Sequence, residues 1–257
     1  KPDQIVDLLK AGREFPDLNQ LINIQEGRDK KRVLIADEMG LGKSASAILE
    51  KESLGIKQAL IVTPSNVIST WLQFLSDKID EDGKQIGYFR KGMAPKVLVV
   101  DNPRDLQNPD INSYDYIILS HERLNDLYIP ALESLGFGML IVDEVHKMKN
   151  LLEGKRAANL LRLSAKVEED DGYLTLLSGT PVPNKVKDVA MILKLLYPER
   201  FSKVDDKELV RKIIYGDLVD LRSLLIPRMQ MKGLLESIEM PDIKESNEWF
   251  DLSEVEQ

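Results

Sequence analysis

Six short apolar blocks recur along the chain, each followed by helix-like or turn-like sequence. The pattern predicts strands over Arg32–Asp37, Gln58–Thr63, Lys96–Asp101, Tyr116–Ser120, Met139–Asp143 and Leu174–Ser178. Several of these run apolar without polar alternation, as strands do when helices cover both faces of a parallel sheet. Between them the spacing predicts helices over Ser44–Ser53, Val67–Leu75, Leu124–Leu135 and Lys155–Val167. Such alternation builds βαβ units, so the expected class is α/β with a doubly wound, mostly parallel sheet. After Pro181 the pattern changes. Helices are predicted over Asp188–Tyr197 and Lys207–Leu225, punctuated by Pro198 and Pro227, with no further strand. The carboxylate-rich stretch Glu236–Gln257 reads as a departing linker. The basic run Arg28–Arg32 and the acidic run Glu168–Asp171 read as solvated turns.

Composition narrows the class without naming a function. A chain of 257 residues, 43% apolar and 30% charged, can bury a substantial core as one large or two small domains. No apolar run approaches the roughly 18 residues of a membrane span, so no membrane partner is expected and the setting is read as intracellular. The absence of cysteine excludes disulfides and thiolate metal sites. Two histidines, His121 and His146, weigh against a structural zinc site. The start, Lys1-Pro2-Asp3, lacks an initiator Met and reads as an excised piece, expected to be monomeric. A net charge of −8 weighs against a uniformly basic surface but leaves room for a local stripe that contacts phosphates.

Three stretches carry candidate chemistry. The first, Ala36-Asp-Glu-Met-Gly-Leu-Gly-Lys-Ser44, follows a predicted strand and opens a predicted helix. Glycines in such a loop let backbone N–H groups turn toward phosphates at a helix N-terminus. Lys43 would then reach the terminal phosphates, and the Ser44 hydroxyl would ligate Mg²⁺. The strict phosphate-loop pattern wants Gly where this chain has Asp37, and an ordinary strand-to-helix turn capped by Ser44 is the competing reading. The second stretch, Met139-Leu-Ile-Val-Asp-Glu-Val-His146, lies about 100 residues on. It delivers Asp143 to the carboxyl end of the sheet, where it can hold Mg²⁺, while Glu144 can polarise an attacking water. The third, Leu176–Asn184, ends a strand in the hydroxyls of Ser178 and Thr180 around a Gly and two Pro. The residues alone describe a turn; its hydroxyls could hydrogen-bond the Asp143/His146 region, though spacing does not establish that.

Taken together, DEMGLGKS (37–44), DEVHKMKN (143–150) and LSGTPVPN (177–184) resemble motifs I, II and III of Snf2-family ATPases in helicase superfamily 2. Thr63-Pro64-Ser65 followed by Trp71 looks like motif Ia with its trailing tryptophan. Leu119–Leu124 and Asp188–Phe201 are also similar to family segments, and the likeness runs from about Leu18 to the C-terminus. The resemblance implies a RecA-like P-loop NTPase lobe over 1–198, a helical C-terminal extension over 199–240 and a connector over 241–257. It implies ATP and Mg²⁺ as cofactors. Nucleotide would lie against Asp37, Glu38, Met39, Gly40, Leu41, Gly42, Lys43 and Ser44, with Gln20 near the place of the adenine-reading glutamine and Gln25 competing for that role. Ser44 and Asp143 would hold the metal, and Lys43, Asp143 and Glu144 would serve catalysis. His146, Ser178 and Thr180 would couple nucleotide state to double-stranded DNA, with backbone contacts near Pro64, Ser65, Lys147, Lys149 and Asn150. Ser44 stands where the family more often has Thr, and "RMQMKGLL" (228–235) lacks the paired arginines usual there. No stretch resembles motifs IV to VI, so a second RecA-like lobe carrying an arginine finger is the expected partner. An RNA helicase lobe and a catalytically silent nucleotide-binding module are the alternative readings. His121 and Trp71 are expected to be structural.

Overall fold

The computed structural model describes residues 18–82, 86–148, 154–179 and 186–215. Helix α1 (Leu18–Lys30) precedes strand β1 (Arg32–Ile35), and α2 (Lys43–Leu54) leads to β2 (Ala59–Thr63) and α3 (Ile68–Phe74). Strands β3 (Val97–Val99) and β4 (Tyr116–Ser120) follow, then α4 (Ile129–Glu133), β5 (Met139–Val142), α5 (Lys155–Glu169) and β6 (Tyr173–Leu177). Helices α6 (Val186–Leu196), α7 (Pro198–Phe201) and α8 (Asp206–Ile214) complete the described chain. The six strands form one sheet in the order β1-β6-β5-β2-β4-β3, and every pairing is parallel.

All six predicted strands form, and their apolar continuity has the expected cause. Alternate residues of one strand enter different cores. Leu60, Val62, Leu140 and Val142 pack with α4, α5 and α6 on one face, whereas Ile61, Ile118 and Ile141 pack with α2 and α3 on the other. Each fully buried aliphatic side chain contributes about 1.5–3 kcal/mol, so the central strands β5 and β2 anchor both layers. A smaller cluster of Val189, Ala190, Leu193, Phe201 and Leu209 fastens α7 and α8 onto α6.

Five readings of the pattern need correction. Helix α1 was unread in the pattern, because it buries Asn23 beside Ile24 and shows little apolar periodicity. It packs on α2 so closely that a Cβ on Gly27 would lie 2.0 Å from the Glu50 carboxylate. The predicted helix Leu124–Leu135 is confined to Ile129–Glu133. Asn125 bonds the backbone N–H of Leu127 in a local turn, and Pro130 suits only the first turn of a helix. The basic run is not a solvated turn: Arg28 and Lys30 end α1, and Lys31 makes a single left-handed turn (φ 58°). Arg32 then points inward, donating to Ser164 Oγ (2.8 Å), the Ser164 carbonyl (2.8 Å) and the Leu195 carbonyl (2.7 Å). The acidic run is a turn only in its second half, since Glu168 and Glu169 belong to α5. The predicted Lys207–Leu225 helix is observed as Asp206–Ile214, and its remainder lies outside the described residues, as do 228–235 and 241–257.

Arg32 joins the start of β1 to α5 and α6, and burial lowers its pKa against the pull of Glu168 and Glu199. Replacing Arg32 with Met keeps the stem but leaves two carbonyls without their donor. Urea unfolding of Arg32→Met is expected to give a loss of about 1–3 kcal/mol, and parental stability would contradict the clamp.

His121, just past β4, is buried, with Nε2 2.9 Å from the Asp143 carbonyl. Burial holds its imidazole below the ordinary 6.5, outweighing the Asp143 carbonyl and the charges of Glu122 and Asp143, which raise it. Folding therefore favours the neutral ring, and below the unfolded value of about 6.5 the unfolded chain binds more protons. This contribution to stability is complete above that value and is lost as pH falls toward the lower folded value. Urea midpoints measured from pH 7.5 down to 5.5 should fall less steeply for His121→Gln than for the parent (pH values spanning about 6.5). Parallel profiles would show that His121 does not titrate on unfolding.

Candidate functional site

The loop between β1 and α2 is shaped by two glycines in the left-handed region, Gly40 (φ 87°) and Gly42 (φ 74°). Gly42 caps α2, so the helix begins at Lys43 with Ser44 in its first turn. Lys43 Nζ reaches back across the loop, donating to the carbonyls of Asp37 (2.8 Å) and Glu38 (2.9 Å). Asp37, the residue in place of glycine, has its own partner: Asn23 Nδ2 donates to Asp37 Oδ2 at 2.7 Å and lies 3.4 Å from Ser46 Oγ. Met39 is exposed at the loop tip, and a Cβ on Gly179 would lie 3.2 Å from its Cγ. The loop therefore touches the end of β6.

Helix α1 also separates the two candidate glutamines. A Cβ on Gly42 would fall 2.4 Å from Gln20 Nε2, so the Gln20 amide lies directly on the glycine loop. Gln25 is exposed and turned to Asp29 one helical turn on (2.9 and 3.0 Å). Asn23 was missed in the sequence. A lone Asn in a helix of unread periodicity carries no signal until α1 is packed on α2.

Across the sheet edge, Asp143 follows β5 and is only 7% exposed. Its N–H donates to the Val62 carbonyl (2.8 Å), while Oδ2 accepts from Thr63 Oγ1 (3.1 Å) and Trp71 Nε1 (2.8 Å). Trp71 and His121 are thus buried and structural, as expected, but both bind the residue at the centre of the site. Glu144 adopts φ 50° and ψ 45°, a left-handed conformation uncommon for a residue with a Cβ and costing about 1–3 kcal/mol. That turn brings Glu144 Oε2 to 3.2 Å from His146 Nε2, while His146 Nδ1 lies 3.0 Å from Ser178 Oγ. One neutral tautomer satisfies both contacts: Nε2–H donates to Glu144, and Nδ1 accepts from the Ser178 hydroxyl. Ser178 is itself fixed by its N–H to the Ile35 carbonyl (3.0 Å).

The two halves act on each other electrostatically. Burial lowers the Lys43 pKa, and Asp37, Glu144 and Asp143 raise it by their charges. A cation on a glycine loop thus stands opposite two carboxylates from the neighbouring part of the sheet edge, where ligands of open α/β folds bind. Among the described residues no group of three or more metal-ligating side chains occurs. The all-oxygen pair Ser44 and Asp143 suits Mg²⁺, which takes one or two protein ligands and completes its shell with water and phosphate. Of the expected DNA-facing residues, Ser65 and Lys147 are exposed, whereas Pro64 is buried under the turn that follows β2. Lys149, Asn150 and Thr180 lie outside the described residues.

The chain is 28% identical over 264 residues to human chromodomain-helicase-DNA-binding protein 6, covering 90% of this chain and 9% of that protein. It is 29% identical over 179 residues to the bovine DNA annealing helicase and endonuclease ZRANB3, covering 66% of this chain and 15% of the relative. The chain therefore spans a small part of the relatives it matches. A hypothetical ATP-dependent RNA helicase from Sulfolobus tokodaii shares the fold with a TM-score of 0.51 and 21% identity, over 79% of this chain and 54% of that one. The Pyrococcus furiosus Hef helicase domain does so with 0.52 and 14%, over 70% and 36%. Residues 19–256 match the SNF2-related domain, and the chain belongs to that family, with the RecA-like fold of a superfamily 2 helicase lobe.

Proposed function

We propose that this chain is the first motor lobe of an ATP-dependent translocase on double-stranded DNA, binding ATP with Mg²⁺ and hydrolysing it only together with a second lobe. The observation that carries the reading is that Lys43, on the loop after β1, and Asp143 and Glu144, just past β5, lie at the same edge of one parallel sheet with only β6 between their strands, where both carboxylates act on the lysine's charge. Lys43 neutralises the terminal phosphates, and the residues of 37–44 enclose them. Ser44 and Asp143 hold Mg²⁺, which offsets charge developing on the phosphates. Glu144 orients the water that attacks the terminal phosphate. The Glu144–His146–Ser178 chain supports a coupling role, because a shift of the segment after β6 changes the hydrogen bond that restrains Glu144. Gln20 is favoured over Gln25 for adenine, as it alone of the two lies on the glycine loop.

Phosphoryl transfer needs positive charge on both sides of the terminal phosphate. Among the described residues Arg32, Arg123 and Arg162 are engaged with Ser164, Asp101 and Glu133 respectively. The opposing cation is assigned to the second lobe, whose finger arginine is worth about 10³–10⁵ in rate. The packing of α7 and α8 on α6 supports an extension that begins near residue 199, its described part, 199–215, resting on the lobe. DNA is preferred over RNA because the relatives named for a nucleic acid at the sequence level are named for DNA. The RNA helicase from Sulfolobus tokodaii is alike in fold alone.

In the complete protein, Glu144→Gln is expected to cut ATP turnover about 10²–10⁴-fold and leave ATP affinity nearly unchanged, whereas Lys43→Ala should weaken ATP binding itself. Steady-state hydrolysis and calorimetric titration separate the two. Parental turnover by Glu144→Gln would remove Glu144 from catalysis, and a complete protein that binds ATP without hydrolysing it would favour the silent module.

DNA affinity should be insensitive to sequence and fall steeply with salt, and Lys147→Ala should lower the salt slope by about 1. Fluorescence anisotropy with duplexes of unrelated sequence at several salt concentrations measures both. A strong preference for one duplex at constant ionic strength would contradict backbone recognition.

A further inference from the structure

Both side-chain hydrogen bonds to Asp143 converge on a single oxygen. Trp71 Nε1 and Thr63 Oγ1 donate to Oδ2 at 2.8 and 3.1 Å, and both donor residues are fully buried. Oδ1 has no hydrogen bond to a described side chain. The difference between the two oxygens is built by the fold. Thr63 is the last residue of β2, the direct neighbour of β5, so its hydroxyl lies beside the carboxylate through sheet register. Trp71 comes from α3, and its ring is packed in the core cluster that holds Ile61, Ile118 and Ile141. An indole N–H can only donate, and a ring locked by packing has no freedom to redirect it. A rotation of the carboxylate that exchanged its oxygens would present Oδ1 to the same two donors. The pair therefore fixes the carboxylate plane while leaving one oxygen free of hydrogen bonds from described side chains.

We propose that Trp71, assisted by Thr63, is a positioning residue for the metal-bearing carboxylate: it commits Oδ2 to protein donors and presents Oδ1 to Mg²⁺, thereby setting the Mg²⁺ affinity of the nucleotide site. The proposal rests on the reading of Asp143 as a metal ligand. A core tryptophan can pack equally well without touching a carboxylate. Here the indole N–H is used on the one buried acid that follows β5. Outer partners that orient a ligand commonly alter metal affinity about 10–100-fold when removed.

The test uses the 257-residue chain and ATP, titrated calorimetrically at graded Mg²⁺ and again with EDTA. Trp71→Phe keeps the ring and removes the donor. It is expected to need about 10-fold more Mg²⁺ for half-maximal enhancement of ATP binding, with Mg²⁺-free binding unchanged. A loss of packing alone would weaken both. Thr63→Val, nearly isosteric, should shift the Mg²⁺ requirement in the same direction and carries the test if Trp71→Phe fails to fold. A second readout is intrinsic: with Trp249→Phe, Trp71 is the only tryptophan left of two. Its emission should respond to Mg²⁺ with ATP and not to ATP in EDTA. If Asp143→Asn raises the Mg²⁺ requirement while folded Trp71→Phe or Thr63→Val stays within about twofold of the parent, far below the loss expected of an orienting partner, the positioning role is overturned. If Asp143→Asn itself has no effect, the reading of Asp143 as the metal ligand fails instead.

Discussion

A carboxylate buried at the carboxyl end of β5 is the constraint on which the rest of this lobe depends. Removing a charged carboxylate from water costs several kcal/mol unless donors replace the lost hydration. The fold supplies those donors to Asp143 from its immediate surroundings: Thr63 at the end of β2 and Trp71 on α3. The backbone of the same residue is tied to Val62 and His121, on β2 and just past β4. The sheet order β5-β2-β4 makes this possible, because in a parallel sheet adjacent strands end on the same edge. The requirement to satisfy Asp143 and the requirement to bury Ile61, Ile118 and Ile141 are met by one arrangement.

Around that point, local strain and long-range contact work together. Glu144 departs from the strand in a left-handed conformation, an unfavourable state held by the contacts on either side of it. His146 then bridges the acidic turn to Ser178, and Met39 at the loop tip meets Gly179 next to it. Three segments distant in sequence thus form a continuous line of contact across β1, β6 and β5, which are consecutive in the sheet. Lys43 faces this line under opposing influences, with burial disfavouring its charge and three carboxylates favouring it. A site so arranged is suited to a polyanion, whose charge the lysine and a cation on the carboxylates can share.

Helix α3 has two occupations within seven residues. Trp71 points into the core and bonds Asp143, while Ser69, one position before Thr70, is exposed. The opposite layer has a separate anchor in Arg32, whose bonds to α5 and the end of α6 hold the first strand in place. Charged groups of this protein thus gather at the sheet edge and also act as internal fasteners far from it.

The sequence by itself determined the six strands, the parallel class and the three chemical stretches. Uninterrupted apolar blocks have one economical use in an α/β chain, and glycines followed by Lys and Ser signal a loop against a helix start. It did not determine α1, since a helix that buries Asn23 and packs through Gly27 lacks the periodic apolar stripe by which helices are read. Nor could it distinguish Gln20 from Gln25, two residues on one helix whose roles differ only in which side faces the loop. Arg32 within a basic run looked solvated, and Trp71 within a helix looked like an anchor and no more, because a residue's type does not disclose its direction. Only the tertiary structure decided that Arg32 turns inward, that Gln20 and Asn23 meet the glycine loop, and that Trp71 spends its single N–H on Asp143. Periodicity is a property of neighbours along the chain, whereas these contacts join residues brought together only when the strands take their places in the sheet.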